Sequence, residues 1–208
     1  TAGNLLLSIV VRPNVNPAKY SGLAAVCGLA VLKTLEKQGL ATEIGLKWPN
    51  DLVARGRKLG GILVEAARDN EGKPFAVCGI GVNVSYTPSD VPDGGLPAIG
   101  LSNLNESVPS VDTLLDEVYH TVMDAVDAWA EQLNALADDA GPLAPVRDGY
   151  IARLNWIGER VIARSPAGDE LARGIFRTVD DFGRACIETE DGLRSFHFEE
   201  ASLRPLNG

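Results

Sequence analysis

Residues 47–65 read KWPNDLVARGRKLGGILVE, a stretch that combines a charged strand end, a rigid turn and a hairpin pattern. A lysine ends an apolar run, and Pro49 stops the strand because proline brings no backbone N–H to a ladder. The apolar segments 52–54 and 59–67 then flank the polar residues 55–58, which is typical of a β-hairpin. The stretch therefore predicts a short strand followed by a hairpin.

Apolar runs on either side extend this hairpin into a sheet. Residues 5–11 (LLLSIVV) form the nearly continuous apolar pattern of a buried strand. A short strand is expected at 43–48, and a turn at 69–74 leads into another at 75–84. Together these segments predict a mixed, largely antiparallel sheet.

Three helices are predicted to pack with this sheet. The first spans about residues 18–38, where Pro17 suits the first turn and Gly39 a C-terminal stop. A third, shorter helix is expected after Gly141, up to about Leu154. The longest helix has apolar residues at intervals of three or four on one face, namely Val111, Leu115, Val118, Val122, Val126, Trp129 and Leu133.

The regions between and after these elements differ in composition and in the structure that they predict. Residues 85–110 hold four prolines with many Gly, Ser and Asn, and predict a long loop. From Trp156 the chain turns to short β-rich runs at 160–163, 172–179, 185–190 and 193–198, separated by Gly168, Gly183 and Gly192. We therefore predict an α+β fold in two domains, residues 1–154 and a small β-barrel over 155–208.

Composition narrows the classes of function. The 208 residues are 45% apolar and 23% charged, as in soluble globular proteins. The net charge of -9 argues against non-specific nucleic-acid binding, which depends on basic side chains. We see no run of about 18 apolar residues, and predict a cytoplasmic protein without a membrane span.

Cysteine and histidine residues give no sign of a metal or redox site. Cys27, Cys78 and Cys186 are odd in number and lack a CxxC spacing, so we expect buried free thiols. His120 and His197 belong to no cluster with metal-ligand spacing, and we expect structural or solvated roles for both. No metal site is predicted in the chain.

Three segments could carry chemistry. Lys47 could bind a carboxylate or phosphate, where a charge-assisted hydrogen bond is worth about 1.5 to 3 kcal/mol. Equally open is that Lys47 extends from a sheet edge into solvent while Asn50 and Asp51 bond their own turn. For Gly60 and Gly61, close approach of a flat ligand competes with a β-bulge or tight packing.

The third segment is GIGVNV at 79–84. Gly79, Gly81 and Asn83 alternate along a predicted strand, so they share one face. An amide at Asn83 could read a purine edge, because it both donates and accepts hydrogen bonds. No helix follows this GxG, so a dinucleotide-binding fold is not predicted.

In this order and spacing, KWPND (47–51), KLGGILVE (58–65) and GIGVNV (79–84) resemble the biotin protein ligase family. The resemblance extends back through LLLSIVVRP at 5–13 and forward to the β-rich tail, which is similar to the SH3-like C-terminal domain of that family. It implies a fold of the class II synthetase and biotin/lipoate ligase type. It also implies an ATP-dependent ligase that forms biotinyl-adenylate and passes biotin to a lysine.

The resemblance implies roles for individual residues. Lys47 would be catalytic and hold the biotin carboxylate and the α-phosphate, while Asp51 would cap the turn or receive the acceptor lysine. Besides Lys47, the biotin site would include Leu52, Gly60, Gly61, Ile62, Gly79 and Gly81, and the adenine end would include Trp48, Asn50 and Asn83. Implied substrates are biotin and ATP, with Mg²⁺ accompanying ATP. The implied partner is a biotin carboxyl carrier domain, and a second copy could pair at a sheet edge.

Two further family segments bear on the site. Family members carry a Ser-Thr-Asn segment and a GRGRxGR loop before the LLLSI-like strand, and neither occurs in this sequence. A loop of this kind upstream of Thr1 in the natural protein would support the ligase, and its absence there would favour a binding module. A helix-turn-helix region is likewise not found, so DNA binding is not predicted. The alternatives are a lipoate ligase of the same fold, or a non-catalytic module that binds a carrier protein.

Overall fold

The computed structural model describes residues 3–40, 43–85 and 95–206. Within these ranges two five-stranded sheets are accompanied by three α-helices and two short 3-10 helices. This arrangement confirms the predicted α+β class. Pro88 and Pro92, two of the prolines of the expected long loop, lie outside the described residues.

The first sheet has the order β1-β5-β4-β3-β2, and every neighbouring pair is antiparallel. Its β3–β4 hairpin turns at Arg55 and Gly56, whose φ values of 50° and 70° place both residues in the left-handed region. The hairpin predicted from sequence is thereby confirmed. The strands are β1 (Leu5–Val11), β2 (Ile44–Lys47), β3 (Asp51–Ala54), β4 (Arg57–Arg68) and β5 (Pro74–Val82).

The first helical segment is longer than the α-helix it contains. Residues Pro17–Gly22 form a 3-10 turn that Asn16 caps by accepting a hydrogen bond from the Ala18 N–H at 3.0 Å, and α1 follows at Leu23–Lys37. The predicted single helix over 18–38 is therefore two elements.

By length and mean hydropathy, 1.2 over its most apolar window, Pro17–Lys37 is apolar enough to cross a membrane, contrary to the expectation from sequence. Its window is 67% buried, and it packs against the sheet as a core helix.

The long helix α2 (Val111–Asn134) begins at Ser110, whose hydroxyl accepts a hydrogen bond from the Thr113 N–H at 3.1 Å. The predicted helix is confirmed, and its apolar face packs against α1 and β1. One member of that face was assigned wrongly: Leu115 is 36% exposed, and Leu114 is buried instead. Leu114 lies four residues before Val118 and so falls on the same side of a 3.6-residue turn.

The first sheet has one covered and one open face. Alternate side chains of β1 point in opposite directions, so that Leu5, Ile9 and Val11 pack beneath the helices. On the other face Leu6 and Val10 of β1 and Leu63 of β4 are 67%, 55% and 60% exposed. Large apolar side chains therefore border an open sheet surface.

The second sheet has the order β10-β6-β7-β8-β9. Its turn glycines Gly168, Gly183 and Gly192 have φ values of 92°, 82° and 115°, which explains why glycine punctuates the β-rich runs. The last strand was not predicted, because Ser202–Pro205 is short and ends in proline. The strands are β6 (Arg160–Arg164), β7 (Glu170–Val179), β8 (Ala185–Thr189), β9 (Gly192–Phe196) and β10 (Ser202–Pro205). A domain boundary at 154/155 and an SH3-like barrel remain predictions.

The segment between the sheets links them through backbone hydrogen bonds. The predicted helix there is only α3 (Arg147–Ile151). Beyond α3 the Leu46 N–H donates to the Arg153 carbonyl and the Asn155 N–H to the Leu46 carbonyl, both at 2.8 Å. The end of β2 is thereby tied to the start of the C-terminal region.

The three cysteines are free and buried, as expected from their number and spacing. The described residues contain no group of three or more His, Cys, Asp or Glu side chains that could hold a metal ion.

Candidate active site

A groove of about 420 Å³ lies on the open face of the first sheet. Two glycines of β5 and one of β4 form its floor, and leucines of β1 and β4 form its sides. Polar side chains from the β2–β3 region close one end. The lining residues are Leu6, Leu7, Ser8, Asn50, Asp51, Lys58, Gly61, Ile62, Leu63, Gly79, Ile80 and Gly81.

Sheet register brings the glycines of the floor together. Gly61 pairs with Gly81 across the β4–β5 ladder, and Leu63 pairs with Gly79. A Cβ on Gly79 would lie 3.6 Å from the Leu63 carbonyl oxygen, and one on Gly81 would lie 3.6 Å from Leu6 Cδ2. These are ordinary contact distances, so side chains would fit there but would fill the groove. The glycines leave the backbone open to a flat ligand.

Gly60 has a different role from its neighbour. A Cβ on Gly60 would lie 2.2 Å from the carbonyl oxygen of Gly81, a distance that no real side chain tolerates. The β3–β4 register also shifts here, from Leu52 opposite Gly60 to Val53 opposite Lys58. The two structural explanations, tight packing and a β-bulge, therefore both hold at Gly60.

The charged end of the groove is a cluster of three side chains. Asp51 Oδ2 lies 2.8 Å from Lys47 Nζ, and Asp51 Oδ1 lies 2.5 Å from Lys58 Nζ. The side chain of Lys47 is 6% exposed and that of Lys58 is 45% exposed. Lys47 therefore lies behind the carboxylate, whereas Lys58 faces the groove. The cluster carries one net positive charge when all three groups are ionised.

The pKa values of the buried pair reflect both burial and pairing. Burial lowers the pKa of Lys47 below its usual value, and the adjacent Asp51 carboxylate only partly offsets this. Burial by itself would raise the pKa of Asp51, but Lys47 and Lys58 together outweigh it, so that this pKa falls below its usual value. The carboxylate is therefore ionised at neutral pH.

The turn between Lys47 and Asp51 is held at each of its three residues. The Trp48 indole Nε1 donates to the Gly183 carbonyl at 2.9 Å, and the Tyr150 hydroxyl donates to the Pro49 carbonyl at 2.7 Å. Asn50 Nδ2 donates to the Ile62 carbonyl at 2.6 Å. The Trp48–Pro49 peptide bond is cis.

The predicted site residues take three kinds of position in the structure. Asn50, Asp51, Gly61, Ile62, Gly79 and Gly81 line the groove. Trp48 is absent from that lining and, together with Asn50 and Ile62, borders an apolar cavity of about 350 Å³ between the 3-10 turn, the sheet and the C-terminal region. Leu52 and Gly60 are buried beneath the groove.

Asn83 follows β5 and forms hydrogen bonds with Ile99 and with Lys58 of β4. Its Nδ2 donates to the Ile99 carbonyl at 3.1 Å and to the Lys58 carbonyl at 3.4 Å, and its Oδ1 accepts from Asn4 Nδ2 at 3.3 Å. The Lys58 N–H donates to the Pro97 carbonyl, and the Ile99 N–H donates to the Lys58 carbonyl. Asn83 thus supports the backbone that carries Lys58. Its assignment to adenine remains a prediction.

Lys58 is the charged groove residue that was not predicted from sequence. The lining residues Leu6, Leu7, Ser8, Leu63 and Ile80 were not predicted either. Were β4 regular, its period of two would place Lys58 on the same side as Ile62 and opposite Gly61 and Leu63. The bulge at Leu59 and Gly60 adds one residue and brings Lys58 to the side of Gly61 and Leu63. The paired glycines were the one local signal for such a bulge.

This arrangement suits a ligand with an anionic group and a flat apolar body. Lys58 faces the groove at the end of a cluster with one net positive charge, and it can neutralise a carboxylate or phosphate. The glycine floor and the leucines beside it can accommodate apolar rings at van der Waals distance.

Comparisons with known proteins agree with this chemistry. Residues 1–83 match the model of the biotin/lipoate A/B protein ligase family, and residues 156–204 match that of the biotin protein ligase C-terminal domain. A biotin--[acetyl-CoA-carboxylase] ligase from Mycobacterium tuberculosis is 35% identical over 188 residues, which is 88% of this chain and 63% of that protein. The enzyme of the same name from Paracoccus denitrificans is 32% identical over 194 residues, which is 92% of this chain and 76% of that protein.

Solved structures of other proteins have the same fold as this chain. Biotin protein ligase from Aquifex aeolicus, in complex with biotin and ATP, superposes with a TM-score of 0.73 at 22% identity, covering 98% of this chain and 79% of that one. This chain thus has the same fold as that ligase. It spans just under two thirds of the length of the Mycobacterium tuberculosis relative.

Proposed function

The chain belongs to the biotin protein ligase family, and on that premise we propose that its groove serves ATP-dependent attachment of biotin to a lysine of a carrier protein. The observation that carries the proposal is the cluster of Lys47, Asp51 and Lys58 at one end of a glycine floor. That arrangement offers cationic groups beside a surface open to a flat ring system.

The proposed reaction has two steps. A carboxylate oxygen of biotin attacks the α-phosphorus of ATP, the bond to the β-phosphate breaks, and pyrophosphate leaves. The amine of the carrier lysine then attacks the carbonyl of the mixed anhydride, loses a proton, and releases AMP. Because the biotin carboxylate is already ionised at neutral pH, the first step needs charge neutralisation and alignment more than a general base.

We assign the direct contact with the reacting anions to Lys58, because it is half-exposed in the groove. Lys47, predicted from sequence as the catalytic lysine, acts in this proposal through the shared Asp51 carboxylate. Gly61, Gly79 and Gly81 form the floor for the biotin ring.

Asn50 is the member of the predicted adenine set that lines the groove, and it is retained in that role. Trp48 and Asn83 lie outside the groove lining, and their predicted contacts with the nucleotide await test. The same holds for contributions from any residues that precede Thr1 in the natural protein.

We include Mg²⁺ in the proposed reaction only as the ion that accompanies ATP. Among the described residues that line the groove, Asp51 is the one carboxylate, and each of its oxygens is paired with a lysine. The described side chains therefore do not fit a magnesium site, and no step is assigned to one. A cytoplasmic location, a biotin carboxyl carrier domain as acceptor and a possible homodimer belong to the same proposal.

The second candidate function is lipoate ligation, since one matching family model covers both acids. Two observations favour biotin: the match of residues 156–204 to the biotin protein ligase C-terminal domain, and the names of the relatives at 32% and 35% identity. A non-catalytic carrier-binding module is the remaining alternative.

One experiment separates the three functions. The full-length protein is mixed with ATP, Mg²⁺ and either biotin or lipoate, and pyrophosphate release is measured with and without a biotin carboxyl carrier domain. Biotin-dependent release followed by labelling of the carrier lysine is the expected result. A preference for lipoate would overturn the choice of acid. Absence of release with both acids, alongside carrier binding, would favour the non-catalytic module.

A further inference from the structure

The turn Trp48-Pro49-Asn50 joins Lys47 to Asp51, so its position fixes where the charged cluster stands above the groove. Lys47 and Asp51 face each other across the β2–β3 ladder. Asp51 Oδ1 lies 3.4 Å from the point where a Cβ on Gly61 would be. A small displacement of the turn would therefore move Lys47 and the Asp51 carboxylate relative to the glycine floor and to Lys58, which lies on β4.

Two of the three anchors of this turn come from the C-terminal half of the chain. The Asn50 side chain bonds to Ile62 within the first sheet, but Trp48 bonds to Gly183 and Pro49 to Tyr150. Neither Gly183 nor Tyr150 lines the groove. The hydrogen-bond partners that hold the turn are thus remote from the site in sequence and separate from its lining.

The anchors themselves are rigidly placed. Gly183 belongs to the β7–β8 turn, where the Leu143 N–H donates to the Asp181 carbonyl at 2.9 Å. Arg147 Nη1 lies 2.7 Å from Asp181 Oδ1, so the same turn is tied to α3. A Cβ on Gly141 would lie 2.2 Å from the Asp181 carbonyl oxygen, which shows how closely the two backbones pack.

Tyr150 is suited to be a permanent donor. The side chain is buried, and both burial and the nearby Asp51 charge raise the pKa of its hydroxyl above the usual value. The group therefore keeps its proton at neutral and mildly alkaline pH, and its bond to the Pro49 carbonyl persists there.

We propose that Trp48 and Tyr150 are positioning residues through which the C-terminal half clamps the Trp48–Asn50 turn and aligns Lys47, Asp51 and Lys58 with the groove. The inference rests on the proposed function, because alignment matters only if the cluster acts on a substrate. Loss of either bond shifts the turn, and a misplacement on the order of 1 Å can reduce a rate by about a hundredfold.

The test uses Trp48→Phe and Tyr150→Phe, which each remove one donor and keep an aromatic ring. Thr34→Val is the matched control, because the Thr34 hydroxyl is also buried and donates to a backbone carbonyl, that of Ala30, at 3.2 Å. Two readouts are needed on the full-length protein: steady-state pyrophosphate release with biotin, ATP and a biotin carboxyl carrier domain, and amide hydrogen exchange of peptides that cover residues 44–54.

For each turn variant we expect kcat to fall about tenfold, with KM for biotin and ATP within about threefold of the parent, and faster exchange over 44–54. The Thr34→Val protein should keep the parent's kcat and its exchange over this segment. The proposal is overturned if the turn variants keep the parent's kcat, or if the control loses as much. Should the parent release no pyrophosphate, the proposed function fails, and unchanged exchange over 44–54 would then overturn the clamp separately.

Discussion

Lys47 and Lys58 each form an ion pair with one oxygen of the Asp51 carboxylate, Lys47 from a buried position and Lys58 from a solvent-exposed one. Lys47 reaches it from the buried end of β2, and Lys58 from the groove. The same carboxylate thus joins a structural cation to a solvent-facing one. This difference in exposure separates the expected effects of the two lysines.

Replacement of Lys58 by Met should abolish most adenylation without destabilising the protein. Loss of a cation that stabilises developing charge lowers kcat by about a hundredfold or more, and Asp51 keeps Lys47 as its partner. Pyrophosphate release and thermal unfolding measure the two effects. Lys73→Met, at an exposed lysine of the β4–β5 turn, is the control and should match the parent in both.

Replacement of Lys47 by Met should instead cost stability. Removal of one partner from a buried ion pair typically destabilises a protein by about 3 kcal/mol, and Lys58 compensates only from its exposed side. Urea unfolding of the parent and of the Lys47→Met and Lys58→Met proteins checks the order. Equal stability of all three proteins would contradict the assigned burial roles.

Acid should weaken the folded state partly through Asp51. The pKa of Asp51 is lowered by folding, so its contribution is complete above the unfolded pKa of about 3.9 and is lost as pH falls through the lower folded pKa. Between pH 5 and pH 2 the parent should therefore lose more unfolding free energy than Asp51→Asn does. Parallel curves for the two proteins would show that Asp51 is not responsible.

The glycines of the groove should divide into structural and ligand-binding positions. Gly60→Ala places a methyl group against the Gly81 carbonyl, and we expect destabilisation of about 3 kcal/mol. Gly79→Ala has room at 3.6 Å, so it should fold normally but weaken biotin binding by about tenfold because the methyl group occupies the floor. Unfolding curves and biotin calorimetry together would expose a reversed pattern.

Asn83→Ala should affect both stability and the response to ATP. The amide donates to the carbonyls of Lys58 and Ile99, and its loss should cost about 2 kcal/mol. KM for ATP should rise because the backbone of Lys58 is less firmly held. Asn134→Ala, which removes one exposed hydrogen bond to Asn14, serves as the control. A raised KM with unchanged stability would support direct nucleotide contact instead.

Local patterns were sufficient for much of the fold. The apolar run at Leu5–Val11 is a strand with those bounds, and the glycine turns at Gly168, Gly183 and Gly192 separate strands as predicted. These features depend on periodicity and on positive φ angles, both of which are written in short stretches of sequence.

The site was predictable only in part, because two of its features depend on non-local structure. The face taken by Lys58 depends on the bulge beside Gly60, which no period-two argument anticipates. The environment of Trp48 depends on the Gly183 carbonyl, which lies far along the chain. The sequence predicted which segment contains Lys58 and Trp48, but it did not predict the directions in which their side chains point.

The strand order β1-β5-β4-β3-β2 has a consequence for when the parts of the site assemble. Lys47, Asp51 and Lys58 lie on three strands that follow one another directly, so their cluster needs only short loops to close. The wall of the groove at Leu6 forms only when β1 pairs with β5, a pairing in which residue 5 lies opposite residue 82. Because longer loops cost more entropy to close, we expect the charged end to form early in folding and the wall near Leu6 to form last.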